Sequence, residues 1–457
     1  MRWRTTLRRS KDVTEEIDAG VSRRDLISAG GASAALLVLS PRGLAAAPSA
    51  IALPAASQET ATSGYGFLLT MSLLPAGTLT LTKVSADGAT TIAEHLSKAV
   101  VSPDRESAVY AQGAVASPHH APSAYSVLHG DQTAGRPPAL HLTDLGNGPS
   151  FTNSCVLPGA QGVVVTCVDL ANSTAVAPGG GKRPTQAFAL HARFVTVSKA
   201  SGTVSITLPV ADGDFIGAEV VPIDDRHAAV ITSGLTRKIT GKANGPLPPN
   251  TSAHCFIVDT VRGRLSGHHR VLAGPGAAHN ISWGNGVVAR VVGGPEVELI
   301  YPSRPPVSYP APLTRHARPY APTGYADPAS GTLVLFDFAL ARLLKLDLNT
   351  GQVTARSDVP LRREALPRVT RPAVDVDAEH RQLLLADPSN PRSGVWIVDL
   401  DKLAVADRWL SLMPVGDIRV IPAADRVVVR APGSTTALLL DHNGQVAGNF
   451  GLAGQLI

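Results

Sequence analysis

Short apolar runs recur along the chain and alternate with polar turns. Seven of these runs share the same β-like pattern, at residues 107–113, 163–170, 228–234, 286–293, 332–338, 382–387 and 426–431. Most are followed by a second apolar run that ends in a polar turn, such as Asn349-Thr350-Gly351 or Asn443-Gly444. Val, Ile and Leu suit a half-buried pleated sheet, and Asn-Gly supplies the positive φ that tight hairpins require. The pattern therefore predicts short antiparallel sheets repeated along the chain.

Such a repeat predicts an all-β fold, because a ring of short sheets buries both faces of each sheet whereas one sheet alone cannot. We find no amphipathic helix beyond the N-terminal segment, and we therefore predict a β-propeller at residues 64–457. Seven repeats favour seven blades. A further β-rich segment at residues 64–84 leaves eight as the alternative, since it either completes an eighth blade or pairs with the last one at the ring closure. Two β-sandwich domains are the competing architecture.

Three stretches carry a resemblance to a known family. The segments Val101-Ser102-Pro103-Asp104, residues 326–331 and residues 346–353 resemble blade motifs of the YVTN/WD40-like bacterial propellers. The resemblance covers about residues 65–457 and implies the fold alone. That superfamily includes lactonases, quinoprotein dehydrogenase subunits, other enzymes and pure binding proteins, so it does not imply one activity.

The N-terminal segment resembles a twin-arginine (Tat) export signal. Arg23 and Arg24 stand in Ser-Arg-Arg-Asp-Leu-Ile, ahead of an apolar run at residues 26–39 and small residues at 44–47. We expect a signal peptide at residues 1–50, a flexible linker at 51–63 and export after transient contact with the Tat translocase. The apolar run of about 14 residues is shorter than the roughly 20 that span a bilayer, so we expect no stable membrane anchor. An uncleaved anchor is the alternative.

Charge narrows the choice of partners. The whole chain carries +5, but residues 1–47 hold eight Lys/Arg and five Asp/Glu, so the remainder carries only +2. Nucleic-acid binding needs clustered Lys and Arg, and we find no such stripe. The expected partner is a small molecule or an extracytoplasmic protein.

Motifs for chemistry are absent, so no catalytic residue is assigned and enzymatic activity stays open. The sequence contains no G-x-S-x-G, H-E-x-x-H, C-x-x-C or phosphate-binding loop. Beyond the signal only Trp283, Trp396 and Trp409 are present, fewer than quinone-binding propellers use for docking. The fourteen histidines include the pairs His119-His120 and His268-His269, without metal-ligand spacing. We therefore predict no cofactor and no metal ligand.

Three cysteines remain. Cys155 and Cys167 flank a predicted Pro158-Gly159 turn and are close enough in sequence to join neighbouring strands by a disulfide, which leaves Cys255 unpaired. The alternative is that all three are small buried hydrophobic residues within strands.

These observations predict an exported propeller that acts as a ligand- or protein-binding scaffold, with its ligand at the mouth of the axial channel. The alternative is a propeller hydrolase or lyase acting on a lactone, sugar or peptide with His, Asp and Arg from separate blades. Convergence of three such groups at one channel mouth would favour the enzyme. A metal- or cofactor-bearing redox protein is a third class, favoured only by the export route and the histidine count.

Overall fold

A computed structural model describes residues 64–457 with gaps at 73–77, 97, 112–123, 130–138, 142–149, 161, 170–190, 199–201, 208–216, 234–252, 273–278, 283, 293–295, 312–322, 338–339, 362–372 and 389. The signal-peptide prediction, including Arg23 and Arg24, and the linker at 51–63 lie outside the described residues. Within these ranges, no helix is both long and apolar enough to cross a membrane.

The described residues form eight four-stranded antiparallel sheets. Sheets 2 to 8 each use four strands that are consecutive in the sequence. Sheet 2 contains β4 (Lys98–Val101), β5 (Ser107–Ala111), β6 (Ala124–His129) and β7 (Ala139–His141). Sheet 3 contains β8 (Ser150–Val156), β9 (Gly162–Asp169), β10 (His191–Ser198) and β11 (Gly202–Thr207). Sheet 4 contains β12 (Gly217–Pro222), β13 (His227–Ser233), β14 (Ala253–Asp259) and β15 (Arg264–Val271).

The second half of the chain continues the same arrangement. Sheets 5 and 6 contain β16 (His279–Ser282), β17 (Val288–Val292), β18 (Glu296–Ile300) and β19 (Val307–Pro310); and β20 (Thr323–Asp327), β21 (Thr332–Asp337), β22 (Arg342–Asp347) and β23 (Val353–Asp358). Sheets 7 and 8 contain β24 (Ala373–Asp377), β25 (Gln382–Ala386), β26 (Val395–Asp399) and β27 (Ala404–Trp409); and β28 (Asp417–Ile421), β29 (Arg426–Arg430), β30 (Thr436–Leu440) and β31 (Val446–Gly451).

Sheet 1 joins the two ends of the described chain. It contains β1 (Tyr65–Ser72), β2 (Thr78–Ser85), β3 (Gly88–Leu96) and the C-terminal β32 (Gln455–Leu456). In this sheet Thr70 pairs with Leu456 and Met71 with Gln455. The seven-blade count is therefore not confirmed, since the described residues hold eight such sheets. The segment at residues 64–84 lies in the extra sheet, as the alternative expected.

The seven apolar runs found in the sequence share one structural position. Each forms the second strand of a sheet, from β5 in sheet 2 to β29 in sheet 8. A second strand pairs on both sides and packs against a neighbouring sheet on both faces, so nearly all of its side chains must be apolar. The repeat predicted from the sequence is thus confirmed as a structural repeat.

Apolar side chains fill the space between neighbouring sheets. Between sheets 6 and 7, Phe336 and Leu343 pack with Val376, Leu383 and Leu385. Comparable clusters lie between sheets 1 and 2, 4 and 5, 5 and 6, 7 and 8, and 8 and 1. Sheets 1, 5, 6, 7 and 8 thereby bury both of their faces, which is the main stabilising contribution to such a ring. The predicted all-β propeller is confirmed, and two separate sandwiches are excluded.

In each of sheets 2 to 8 the first and third strands end on the same side of the sheet, because successive strands alternate in direction. We call this side the turn face. Aspartates close several of its turns: the Asp347 carboxylate accepts the N–H groups of Asn349 and Thr350, both at 2.8 Å. Asp399 accepts the equivalent two N–H groups in sheet 7, and Asp441 accepts those of Asn443 and Gln445 in sheet 8. Aspartates at these positions therefore stabilise their turns.

Candidate functional site

Three titratable side chains converge on the turn face, in a groove between sheets 7 and 8. His380 lies in the first turn of sheet 7, Asp425 in the first turn of sheet 8, and His442 in the last turn of sheet 8. One ligand atom from each residue lies within 4.8 Å of the other two, and all three side chains are exposed. The groove is further lined by Asp377, Glu379, Pro422 and Arg426. It is the strongest candidate site among the residues that the structure describes.

A buried carboxylate orients the His380 ring. Nδ1 of His380 lies 2.9 Å from Oδ2 of Asp377, and the backbone N–H of His380 donates to Oδ1 of the same carboxylate at 3.0 Å. The Asp377 side chain is only 8% exposed, at the end of β24. With Asp377 ionised, Nδ1 carries the proton and the lone pair of Nε2 is available to a ligand.

The other histidine of the cluster stacks on the first. The rings of His380 and His442 are parallel within 4°, with centroids 5.1 Å apart. Nδ1 of His442 lies 3.3 Å from Oδ2 of Asp425, and its Nε2 lies 3.0 Å from the Asn443 amide nitrogen. Both ring nitrogens of His442 thus face polar groups of sheet 8.

Asp425 occupies a constrained backbone position. It follows the short 3₁₀ turn Pro422–Ala424 with φ of 49°, and its N–H donates to the Pro422 carbonyl. Aspartate tolerates this left-handed conformation better than most non-glycine residues. The turn thereby directs the carboxylate towards His442.

The histidines singled out in the sequence lie elsewhere. His268 lies on sheet 4, where its Nε2 is 3.0 Å from Nδ1 of the neighbouring His254, and its ring stacks on Phe256 with centroids 4.4 Å apart. Burial, and secondarily the nearby His268, lowers the pKa of His269. His119 and His120 lie outside the described residues. No carboxylate joins the His254–His268 pair in a described three-ligand cluster.

Sequence reasoning missed His380 and His442, because nothing in their spacing connects them. They become neighbours only when sheet 7 packs against sheet 8. The available signal is local: Asp377 precedes His380 by three residues and ends a strand, which is the arrangement in which a turn histidine meets a carboxylate.

Asp327, at the end of β20, has a structural role. Asp327 accepts from Arg381 at 2.5 Å and from the Ser330 hydroxyl at 2.6 Å. Burial acts to raise the Asp327 pKa, but these donors hold it below its ordinary value. Arg381 also binds Asp401, so it connects the turns of sheets 6 and 7.

An ion pair crosses the ring near its axis. Arg105, in the first turn of sheet 2, donates to Asp375 on the first strand of sheet 7 at 3.2 Å. The same carboxylate oxygen accepts the Val420 N–H of sheet 8 at 2.8 Å, and the Arg105 carbonyl accepts the Phe67 N–H of sheet 1. Burial lowers the Arg105 pKa, which Asp375 partly offsets. The two charges connect sheets 2, 7 and 8, and the Arg105 backbone adds sheet 1, so this convergence is structural.

All three cysteines lie within strands: Cys155 in β8, Cys167 in β9 and Cys255 in β14. The Pro158–Ala160 turn joins β8 to β9 as expected, and the register sets Cys155 opposite Val164 and Cys167 opposite Thr152. Three positions along the ladder therefore separate Cys155 from Cys167, and a disulfide between them requires this register to shift; the pairing stays a prediction. Cys255 is fully buried, and burial raises its pKa to about 12, so it remains a neutral thiol.

Comparison with known proteins adds no family. No family model matches the chain, and no curated protein matches it. Among solved structures it is similar to Citrobacter koseri AztD, at 12% identity over 75% of this chain and 85% of that chain, with a TM-score of 0.42. It is also similar to BamB from Moraxella catarrhalis, at 11% identity over 78% of this chain and 88% of that chain, with a TM-score of 0.42. A third similar structure is a putative 6-phosphogluconolactonase from Bacteroides fragilis, at 8% identity over 88% of this chain and 100% of that chain, with a TM-score of 0.43. Likenesses this distant carry no argument about function.

Proposed function

We propose that this chain is an exported β-propeller that binds a ligand or a protein partner in the groove between sheets 7 and 8. The observation that carries the proposal is the convergence of His380, Asp425 and His442, from three turns, at one exposed groove. Turns held by a rigid ring are a common setting for binding residues, since the sheets fix the positions of the side chains.

The exposure of the groove favours binding over catalysis. General acid-base or nucleophilic chemistry depends on a site from which water is largely excluded. The three converging side chains are all exposed. On the turn face, the axial position that the alternative hydrolase or lyase would use holds the Arg105–Asp375 pair, whose charges are already engaged.

The extracytoplasmic location is the second part of the proposal. It is supported by the order of Arg23, Arg24, the apolar run and the small residues in the sequence. Export in the folded state fits a closed ring whose first and last described strands meet in sheet 1.

Native mass spectrometry on protein from the extracytoplasmic fraction of the producing organism tests the proposal. We expect a processed N-terminus and a bound organic or protein mass, which the double variant Glu379→Lys/Arg426→Glu loses because it reverses the sign of the charge at two positions of the groove lining. The control Lys402→Glu lies on an exposed turn outside the groove lining and should keep the bound mass. Absence of the protein from that fraction contradicts export. A wild-type protein without bound mass, or equal retention by the groove variant, contradicts the binding site.

A further inference from the structure

We propose that His380, Asp425 and His442 bind a divalent transition metal of the zinc class. The inference rests on the proposed function, because it names the chemical class of ligand that the same groove takes. The three side chains come from two sheets, and their ligand atoms lie within 4.8 Å of one another before any metal draws them together. Exposed side chains close such a distance by small rotations about their χ angles.

The donor set selects the class of metal. Two imidazoles and one carboxylate suit Zn²⁺, Cu²⁺ or Ni²⁺, whereas Mg²⁺ and Ca²⁺ prefer oxygen ligands throughout. Three protein ligands also leave a coordination position open. That position is filled by water or by a donor atom of a molecule in the groove, as in zinc sites that exchange their fourth ligand.

One edge of the coordination polyhedron is already formed. Two ligand atoms bound tetrahedrally at zinc distances are about 3.3 Å apart. Nδ1 of His442 and Oδ2 of Asp425 lie 3.3 Å apart. A metal can therefore replace the proton between them without moving either turn.

The surroundings of His380 match those of a metal ligand. Its Nδ1 faces the buried carboxylate of Asp377 at 2.9 Å, which leaves Nε2 as the coordinating atom. A carboxylate on the far nitrogen fixes the tautomer and increases the basicity of a metal-binding imidazole. His442 has a comparable neighbour in Asn443. When Nδ1 of His442 binds the metal, Nε2 carries the proton, and the Asn443 amide turns so that its oxygen accepts the Nε2–H hydrogen bond.

Charge in the groove favours a cation. Asp377, Glu379 and Asp425 supply three carboxylates, against the single guanidinium of Arg426 among the lining residues. With neutral histidines the groove therefore carries a net negative charge. A bound divalent cation neutralises that charge.

The chain contains a matched comparison in sheet 4. His227 follows Asp224 by three residues where the first strand of that sheet connects to the second, and its Nδ1 lies 3.0 Å from both oxygens of that carboxylate. It has no second histidine in a described three-ligand cluster. His227→Gln therefore removes an equivalent Asp–His pair without touching the proposed site.

Zinc equilibrium dialysis of metal-free, full mature protein tests the inference, with Co²⁺ absorption as a second readout of tetrahedral coordination. We expect one zinc per chain. His380→Gln, His442→Gln and Asp425→Asn should each weaken zinc binding by at least about 10-fold, and Asp377→Asn by about 10-fold through His380. His227→Gln should leave the affinity unchanged. Circular dichroism verifies that each variant is folded.

No stoichiometric zinc binding, or binding that survives both His380→Gln and His442→Gln, overturns the inference. Loss of zinc in His268→Gln alone also overturns it, because the metal would then sit on sheet 4. The two proposals fail separately: a groove-dependent organic or protein mass without zinc contradicts only the metal site. Zinc binding without any other bound mass contradicts the wider binding role.

Discussion

At the scale of single residues, Asp259 shows how strand-end aspartates on the turn face stabilise the fold. Arg226 donates Nε to Oδ1 at 2.9 Å and Nη2 to Oδ2 at 2.5 Å, and the Arg262 N–H donates to Oδ1 at 2.9 Å. Burial of the carboxylate acts to raise its pKa, but these three donors together lower it to about 2 from an ordinary 3.8. The ionised form therefore stabilises the folded chain.

Asp259→Asn should lower the free energy of unfolding by about 2 kcal/mol at neutral pH, because the amide neither carries the charge nor accepts from both arginine nitrogens. The depressed pKa fixes the sign: the stabilisation is present above pH of about 4 and is lost as the pH falls to about 2. Urea unfolding across this range measures it. Asp358→Asn, from the exposed Arg342–Asp358 pair, is the control and should change little. A deficit for Asp259→Asn that is constant over this pH range would contradict the account.

At the scale of elements, aromatic side chains at the ends of fourth strands pack onto glycines of the next sheet. Tyr309 of β19 lies against Gly351 of sheet 6 and donates its hydroxyl to the Asn349 carbonyl at 2.6 Å. Trp409 of β27 lies in the same way against Gly444 of sheet 8. Both glycines have positive φ, of 67° and 77°, so the turn conformation and the close approach each require glycine.

Gly444→Ala should lower the free energy of unfolding by about 2 to 4 kcal/mol, since its Cβ would lie 2.3 Å from the Trp409 ring and the positive φ adds strain. Gly433→Ala is the matched control: its φ is 72°, but nothing lies within 4 Å of the added Cβ. That variant should lose only about 1 kcal/mol. Equal losses in the two variants, measured by chemical denaturation, would show that the contact with Trp409 contributes nothing.

Elements were predictable from the sequence where they repeat, and the site was not. Second strands such as β21 and β25 are recognisable because burial on both faces demands continuous apolar residues. The convergence of His380 with His442 depends on how sheet 7 packs against sheet 8, which no local pattern encodes. The Arg105–Asp375 pair was missed for the same reason, because it connects sheets that are distant in sequence.

At the scale of the whole molecule, closure of the ring depends on a very short strand. Gln455–Leu456 pairs with β1, and Leu456 is buried among apolar residues of sheets 1 and 8. Sheet 1 does not follow the sequence repeat, because its strands come from both ends of the described chain. Loss of this contact should open the ring at a place where no other strand substitutes.

Leu456→Asp should lower the unfolding midpoint by several degrees, because it places an unpaired charge in the cluster that closes the ring. Ile457→Asp is the control, since that side chain is 47% exposed and its substitution should have little effect. Differential scanning calorimetry compares the two with wild-type protein. If Leu456→Asp melts as the control does, the C-terminal strand is not needed for closure.

Crystallography of protein purified from the extracytoplasmic fraction tests the central claim most directly, which is that the groove between sheets 7 and 8 is the binding site. With data collected above and below the zinc absorption edge, we predict the strongest anomalous peak between His380, Asp425 and His442, with ligand or partner density next to it. A groove filled only by solvent, with the bound molecule at the axis or on another face, would contradict the account.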